Sequence, residues 1–234
     1  MTSSKEFRRR AREVLNGKYG RALIAMLIYT IVSSLISLIS VNTDSVFLSM
    51  AYSILNIIFS VIIVMPMGVG VCRYFLNQTI GVNGVESYSD LLFAIREDLT
   101  NTVKITFVQS IRIFFWSLLF VIPGIIKSYE YAMIPFILAE NPHIDINRAF
   151  DITKAMMNGN KMRYFLLNLS FFGWLLLGAC LAGVGVVFVM PYIQASVTQF
   201  YLEVKERAML SGAIGADELT RNDGRSFQRD PFEM

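Results

Sequence analysis

Charged side chains are scarce in this sequence, and their scarcity decides its class. Only 17% of the 234 residues are charged, whereas 54% are hydrophobic, and the mean hydropathy is +0.51. A soluble domain carries about 25% charged residues, and a soluble fold of this length has too little interior for so much apolar surface. The composition excludes a disordered protein and most soluble enzymes, and it indicates that lipid surrounds much of the chain.

Cysteine and histidine are also nearly absent. Cys72 and Cys180 lie in separate apolar runs near opposite faces of the predicted membrane domain, so we expect no disulfide and exclude a secreted disulfide scaffold. The single histidine, His143, follows Asn141-Pro142, where a surface or capping role is expected. The sequence contains no H-E-x-x-H motif, no phosphate-binding loop with a lysine and no closely spaced cysteines. We therefore predict no enzymatic activity, no cofactor and no metal.

Basic residues are concentrated at the start of the chain. Seven of the 21 lysines and arginines precede position 22, opposed only by Glu6 and Glu13, and an apolar run follows directly. This pattern is the positive-inside signal of a cytoplasmic N-terminus and does not indicate nucleic-acid binding. No cleavage site follows, so we predict a retained signal anchor.

Uncharged runs predict an all-α polytopic membrane bundle. Six spans, arranged as three hairpins, are expected at about 22–43, 46–72, 105–122, 124–139, 164–182 and 185–202. Residues 1–21 precede this 22–205 domain, 206–234 form a polar tail, and both termini are cytoplasmic. Lys127 is the only basic residue on the predicted outer side. At 1.5 Å per residue, 124–139 extends only about 24 Å, so it is either a short span or a re-entrant segment.

Two amphipathic segments accompany the spans. Residues 3–19, with a Ser3-x-x-Glu6 capping box, predict a basic helix that lies on the anionic inner leaflet or docks on the protein's own cytoplasmic side. The second helix, 144–158, either binds a partner or supports the bundle from within. The candidate contacts with the membrane surface or a partner are Arg8, Arg9, Arg12, Arg148, Lys154 and Lys161.

Prolines, glycines and a repeated motif mark the predicted turns. The candidate kinks and turns are Pro66, Pro123, Gly124, Pro135, Gly183, Gly185 and Pro191. Among them, Pro123-Gly124 and Gly183-Val184-Gly185 are expected to form tight turns between spans. Asn16-Gly17-x-x-x-Arg21 and Asn158-Gly159-x-x-x-Arg163 each follow a basic amphipathic helix, which indicates an internal repeat.

Charged residues inside the third and fourth segments are the main functional lead, because ionisable groups in membranes are costly. A hairpin tip at Pro123-Gly124 places Arg112 and Glu130 about 7 Å apart along the axis. We hypothesise that they form an intramembrane pair that lines a polar crevice. The alternative is that Arg112 extends towards the membrane surface while Lys127 pairs with Glu130 three residues away.

The chain contains a set of motifs that occur together in one known family. They are Arg9-Arg10-Ala11-Arg12 with Gly17, Phe115-Trp116-Ser117-Leu118-Leu119, Ile122-Pro123-Gly124-Ile125-Ile126-Lys127, Tyr131, Met133 and Pro135, Ala139-Glu140-Asn141-Pro142, Met157-Asn158-Gly159-Asn160-Lys161, Ser170-Phe171-Phe172-Gly173-Trp174, Pro191-Tyr192 and Tyr201. With these motifs the chain resembles the bacterial "domain of unknown function 975" family. The resemblance covers nearly the whole chain to about residue 205. It implies a multi-pass protein of the bacterial cell membrane and carries over no catalytic residues.

Taken together, these features predict a non-enzymatic scaffold or accessory subunit that acts through its cytoplasmic interfacial helices. The alternative is a small transporter or channel with a polar path near Arg112 and Glu130. The expected partners are a bilayer with anionic inner-leaflet lipids and either another membrane protein or a second copy of the chain.

Overall fold

The computed structural model describes residues 3–35, 45–81, 88–180, 184–215 and 218–219, and within them the chain forms helices and no strands. This confirms the predicted all-α class. The helices are α1 (Ser4–Leu15), α2 (Tyr19–Ser34), α3 (Val46–Phe59), α4 (Met65–Ile80), α5 (Phe93–Leu119), α6 (Val121–Glu130), α7 (Ile134–Glu140), α8 (Ile146–Met157), α9 (Lys161–Cys180) and α10 (Val184–Leu210).

The two copies of the Asn-Gly motif have the same backbone geometry. Asn16 has φ −62° and ψ 124°, and Asn158 has φ −64° and ψ 122°. The glycines that follow adopt left-handed φ values of 74° at Gly17 and 72° at Gly159, which favour glycine. The first motif ends α1 at Leu15, so the helix predicted over 3–19 is interrupted, and the second connects α8 to α9.

α3 and α4 form one continuous helical segment through a π-helical turn at Ser60–Val64. Pro66 follows this turn directly, and the widened turn accommodates the missing backbone donor of proline. The helix continues beyond the span predicted over 46–72. Asn77 is buried and donates to Asp90 Oδ2 at 2.5 Å, so these polar residues are satisfied within the protein.

α5 and α6 pack as an antiparallel pair, but they do not turn where the sequence predicts. The break lies at the extended residue Phe120, whereas Pro123 and Gly124 lie in the first turn of α6. Proline is tolerated there because the first amides of a helix have no intrahelical partner. Gly124 instead allows close contact, since a Cβ at this position would lie 2.2 Å from Ser117 Oγ.

Two other predicted kinks also lie inside helices. Pro135 is in the first turn of α7, which follows a turn at residues 131–133 that divides the predicted 124–139 segment. Pro191 is buried within α10, which continues through it. Gly185 belongs to α10, where a Cβ would lie 2.7 Å from Gly178 Cα, and Gly183 lies outside the described residues.

A layer that we call the base joins the ends of the helices. It comprises α7, α8 and residues 200–215 and 218–219, and the start of α1 packs on it through the rings of Phe7 and Phe200, 5.5 Å apart. Ile214 and Leu219 are buried in the base, so this part of the predicted polar tail is packed.

Four described helical segments are long and apolar enough to cross a membrane. They are Val46–Ile80, Tyr88–Leu119, Val121–Glu140 and Lys161–Ala179, and Tyr19–Ser34 is a shorter apolar helix. These segments indicate a membrane protein. Part of the first predicted span, residues 36–43, lies outside the described residues.

Candidate functional site

The charged residues of α6 meet α8 and the first residue of α9. Glu130 is buried, and its carboxylate accepts hydrogen bonds from Lys127 Nζ at 2.7 Å and from Lys161 Nζ. Its backbone carbonyl accepts a hydrogen bond from the Thr153 hydroxyl at 2.9 Å. The cluster therefore ties α6 to α8 and to the first residue of α9.

The hypothesised pair of Arg112 and Glu130 is wrong. Among the described residues, Arg112 has no ion pair, and its guanidinium lies 3.9 Å from the centroid of the Phe150 ring. Two lysines already neutralise Glu130, and a cation over an aromatic face is itself stabilised. The alternative pairing of Lys127 with Glu130 is the one observed, and Lys161 is a second partner that sequence spacing did not reveal.

A fully buried ion pair lies within the base, and sequence reasoning missed it. Glu140 and Lys205 are 3% and 4% exposed, and Lys205 Nζ lies 2.7 Å from both carboxylate oxygens of Glu140. The Tyr201 hydroxyl donates to Glu140 Oε2 at 2.8 Å, and Lys205 also donates to the Leu219 carbonyl at 3.0 Å. The two charged residues are 65 positions apart, so no local pattern could have paired them.

The other predicted contacts on the second amphipathic helix have partners within the protein. Arg148 forms a two-pronged contact with the Glu218 carboxylate at 2.6 and 2.9 Å, and this contact lowers the pKa of Glu218. Lys154 forms an exposed pair with Asp151 at 3.4 Å. The apolar face of α8 is buried against the protein, as internal support of the bundle requires, which was one of the two alternatives for this helix, and binding of a partner to its other face stays a prediction.

The arginines of α1 fall into two groups. Arg9 bridges Glu6 and Glu13, and its hydrogen bonds to Glu6 hold the pKa of that carboxyl at about 2. Arg8 and Arg12 face a groove beside α9 and α10. The apolar face of α1 packs on the protein, which was also one of its two alternatives.

Within the described ranges, no three histidine, cysteine or acidic side chains are grouped as metal ligands. His143 is exposed, and its Nδ1 lies 3.0 Å from Asp98 Oδ2. Asp98 has non-helical dihedrals inside α5, and its other carboxylate oxygen accepts from the Asn101 amide at 2.8 Å. Asp98 therefore caps the N-terminal end of the part of α5 that follows the kink.

Comparison with protein families agrees with the motifs described above. The family model described as "Protein of unknown function (DUF975)" matches residues 92–208, which is half of the chain. The chain belongs to the DUF975 family. The matched segment of this DUF975 protein contains the Glu130 cluster and the buried Glu140–Lys205 pair. α1 lies outside the match, and the groove beside α1 lies partly inside it through Trp174, Phe188 and Tyr192. No curated protein and no solved structure matches the chain.

Proposed function

We propose that this DUF975 protein is a non-enzymatic membrane scaffold whose α5–α6 pair is a re-entrant hairpin confined to one leaflet. The observation that carries the proposal is the exposed apolar surface at the turn of this pair. Phe120 is 70% exposed and Ile122 71%, and their neighbours Leu118, Leu119 and Val121 are similarly exposed. A continuous apolar surface of this kind favours contact with lipid over contact with water.

The length of the hairpin supports a re-entrant path. α6 has ten residues, so it rises about 15 Å, half of a hydrocarbon core of about 30 Å. Across the pair, the Gln109 side chain donates to the Tyr131 carbonyl at 3.1 Å, which marks the same level on α5. α7 then turns into the protein, where nearly all of its residues are buried. The whole Val121–Glu140 segment is long enough to cross a membrane, but the turn at residues 131–133 and the burial of α7 favour the re-entrant alternative for 124–139.

The lysines of the Glu130 cluster support a topology in which few charged residues lie on the outer side of the membrane. Lys127 shares Glu130 with Lys161, a residue predicted to be cytoplasmic. A re-entrant hairpin therefore returns Lys127 to the cytoplasmic side, in agreement with the positive-inside rule. In this topology, α2 with α3–α4 and α9 with α10 cross the bacterial cell membrane, and both termini are cytoplasmic. Four crossings and one re-entrant hairpin replace the six predicted spans.

A hairpin that occupies one leaflet adds area to that leaflet alone, and such an asymmetry bends a bilayer. The apolar faces of α1 and α8 are covered by the protein, so we assign the scaffold role to the hairpin rather than to these helices. The transporter alternative has less support, because Arg112 is engaged by Phe150 and Glu130 by two lysines. A protein partner or a second copy stays a prediction, tested by purification in mild detergent.

The full chain reconstituted into vesicles tests this role. We expect the mean vesicle diameter to fall as the protein-to-lipid ratio rises, with no proton or potassium flux above that of protein-free vesicles. A tip variant, Leu118→Ser/Leu119→Ser/Phe120→Ser, should lose the effect on diameter because its turn no longer favours the hydrocarbon. Light scattering measures the diameter, and enclosed dyes measure the flux.

A matched variant, Leu118→Ile/Leu119→Ile/Phe120→Leu, keeps the tip apolar and should retain the effect on diameter. Flux through the unmodified protein would support the transporter instead. Vesicles whose diameter does not respond to the unmodified protein would contradict the scaffold role.

A further inference from the structure

A groove of about 620 Å³ lies between the α9–α10 pair and the segment formed by α1 and the Asn16-Gly17 turn. One part of its wall is apolar and aromatic, formed by Trp174 of α9 and Phe188 of α10, which are 53% and 51% exposed. Arg8 and Arg12 of α1 line another part. A single groove therefore presents both cationic and apolar surfaces.

The arginines in the groove differ from their neighbours on the same helix. Arg9 and Arg10 pair with Glu6, and Arg9 also pairs with Glu13. Neither Arg8 nor Arg12 has a carboxylate partner among the residues described in the structure. The Arg8 Nε atom is inaccessible to solvent and has no hydrogen-bond acceptor there. A buried donor without an acceptor is costly, so a rotation of the Arg8 side chain that brings this atom to an acceptor in the groove is favoured.

Arg12 is held in position by Tyr192. Its Nε donates to the Tyr192 hydroxyl at 3.2 Å, and the guanidinium carbon lies 5.7 Å from the centroid of the same ring. This contact orients the guanidinium and leaves its two terminal nitrogens to donate to another acceptor. Two parallel N–H donors match the oxygens of a phosphate group.

We propose that this groove binds one anionic phospholipid. The phosphate receives hydrogen bonds from Arg8 and Arg12, and an acyl chain lies along Trp174 and Phe188. The apolar wall selects a lipid over a free phosphate ion, because a free ion leaves that wall uncovered. The inference rests on the proposed function only in taking this protein to be embedded in a bilayer.

Native mass spectrometry of the detergent-solubilised full chain tests the site. The unmodified protein should bind dioleoylphosphatidylglycerol about tenfold or more tightly than dioleoylphosphatidylcholine, and inorganic phosphate should not compete. Arg8→Gln/Arg12→Gln should abolish this preference. Arg9→Gln/Arg10→Gln removes the same charge from the same helix and should preserve it.

Three other results would overturn the proposal. Equal losses in the two double variants would indicate general attraction to a basic helix, and an unchanged preference in Arg8→Gln/Arg12→Gln would place the lipid elsewhere. Competition by inorganic phosphate would identify a site for a free anion.

A second measurement leaves the groove unmodified. The variant Trp116→Phe keeps Trp174 as its only tryptophan. At a low mole fraction of brominated lipid in the bilayer, brominated phosphatidylglycerol should quench the fluorescence of Trp174 more than brominated phosphatidylcholine does. Equal quenching would contradict a specific site. This reading does not depend on whether α5–α6 crosses the membrane, so it is separate from the test of the hairpin.

Discussion

Glu140→Gln should destabilise the protein by about 3–5 kcal/mol, because it removes the carboxylate charge that lies 2.7 Å from the buried Lys205 ammonium. The native carboxylate accepts both hydrogen bonds that Lys205 directs to it and a third from Tyr201. The amide of glutamine keeps one acceptor oxygen but supplies no charge. The loss of stability is measured by heating the protein in detergent and recording the folded fraction at each temperature by size-exclusion chromatography.

Two variants separate the lost charge from other effects of substitution. Glu13→Gln removes a carboxylate from an exposed pair with Arg9 and should change stability by no more than about 0.5 kcal/mol. Glu140→Met/Lys205→Met removes both buried charges and should recover most of the loss. A midpoint for Glu140→Gln that equals that of Glu13→Gln would show that the buried pair does not stabilise the base.

Gly70→Ala should destabilise the contact between α4 and the short helix Tyr88–Leu92. A Cβ on Gly70 would lie 2.2 Å from the Leu91 carbonyl oxygen and 2.5 Å from its carbonyl carbon. These atoms belong to the backbone, so no change of rotamer relieves the clash, and one of the two segments must move. We expect a loss of about 1–3 kcal/mol or more, measured as a lower unfolding midpoint.

Gly20→Ala is the matched control, since Gly20 also lies inside a helix but a Cβ there has no atom within 4 Å. Alanine is favoured over glycine in a helix, so this variant should gain about 0.5–1 kcal/mol. The two substitutions should therefore shift the midpoint in opposite directions. A stabilising Gly70→Ala would contradict the close packing of α4.

Local signals allowed much of the helical layout to be predicted. The Ser3 side chain accepts a hydrogen bond from the Glu6 amide, and the Asn-Gly motifs turn at Gly17 and Gly159. Each of these features depends on residues within a few positions of each other. The turn at Phe120 could not be located in this way, because Pro-Gly is compatible both with a turn and with the first turn of a helix.

Contacts between distant residues account for the errors at the candidate site. The axial distance between Arg112 and Glu130 was derived for two helices alone, but the structure adds Lys161 from a third helix and Phe150 from a fourth. The span predicted to end at residue 72 followed hydropathy, whereas α4 continues to Ile80 and its buried Asn77 donates to Asp90 of a distant segment. Sequence patterns report the polarity of a side chain and not its partner.

Cysteine labelling at the tip of α5–α6 tests the re-entrant hairpin most directly. In a Cys72→Ala/Cys180→Ala background, Ile122→Cys is treated with a membrane-impermeant maleimide in sealed right-side-out vesicles. Asp44→Cys in the predicted outer connection and Lys154→Cys in α8 report the two faces of the membrane. We predict that Asp44→Cys reacts in intact vesicles, Lys154→Cys after permeabilisation, and Ile122→Cys only after detergent dissolves the bilayer. Labelling of Ile122→Cys in intact vesicles would mean that the hairpin crosses the membrane, which would contradict the account.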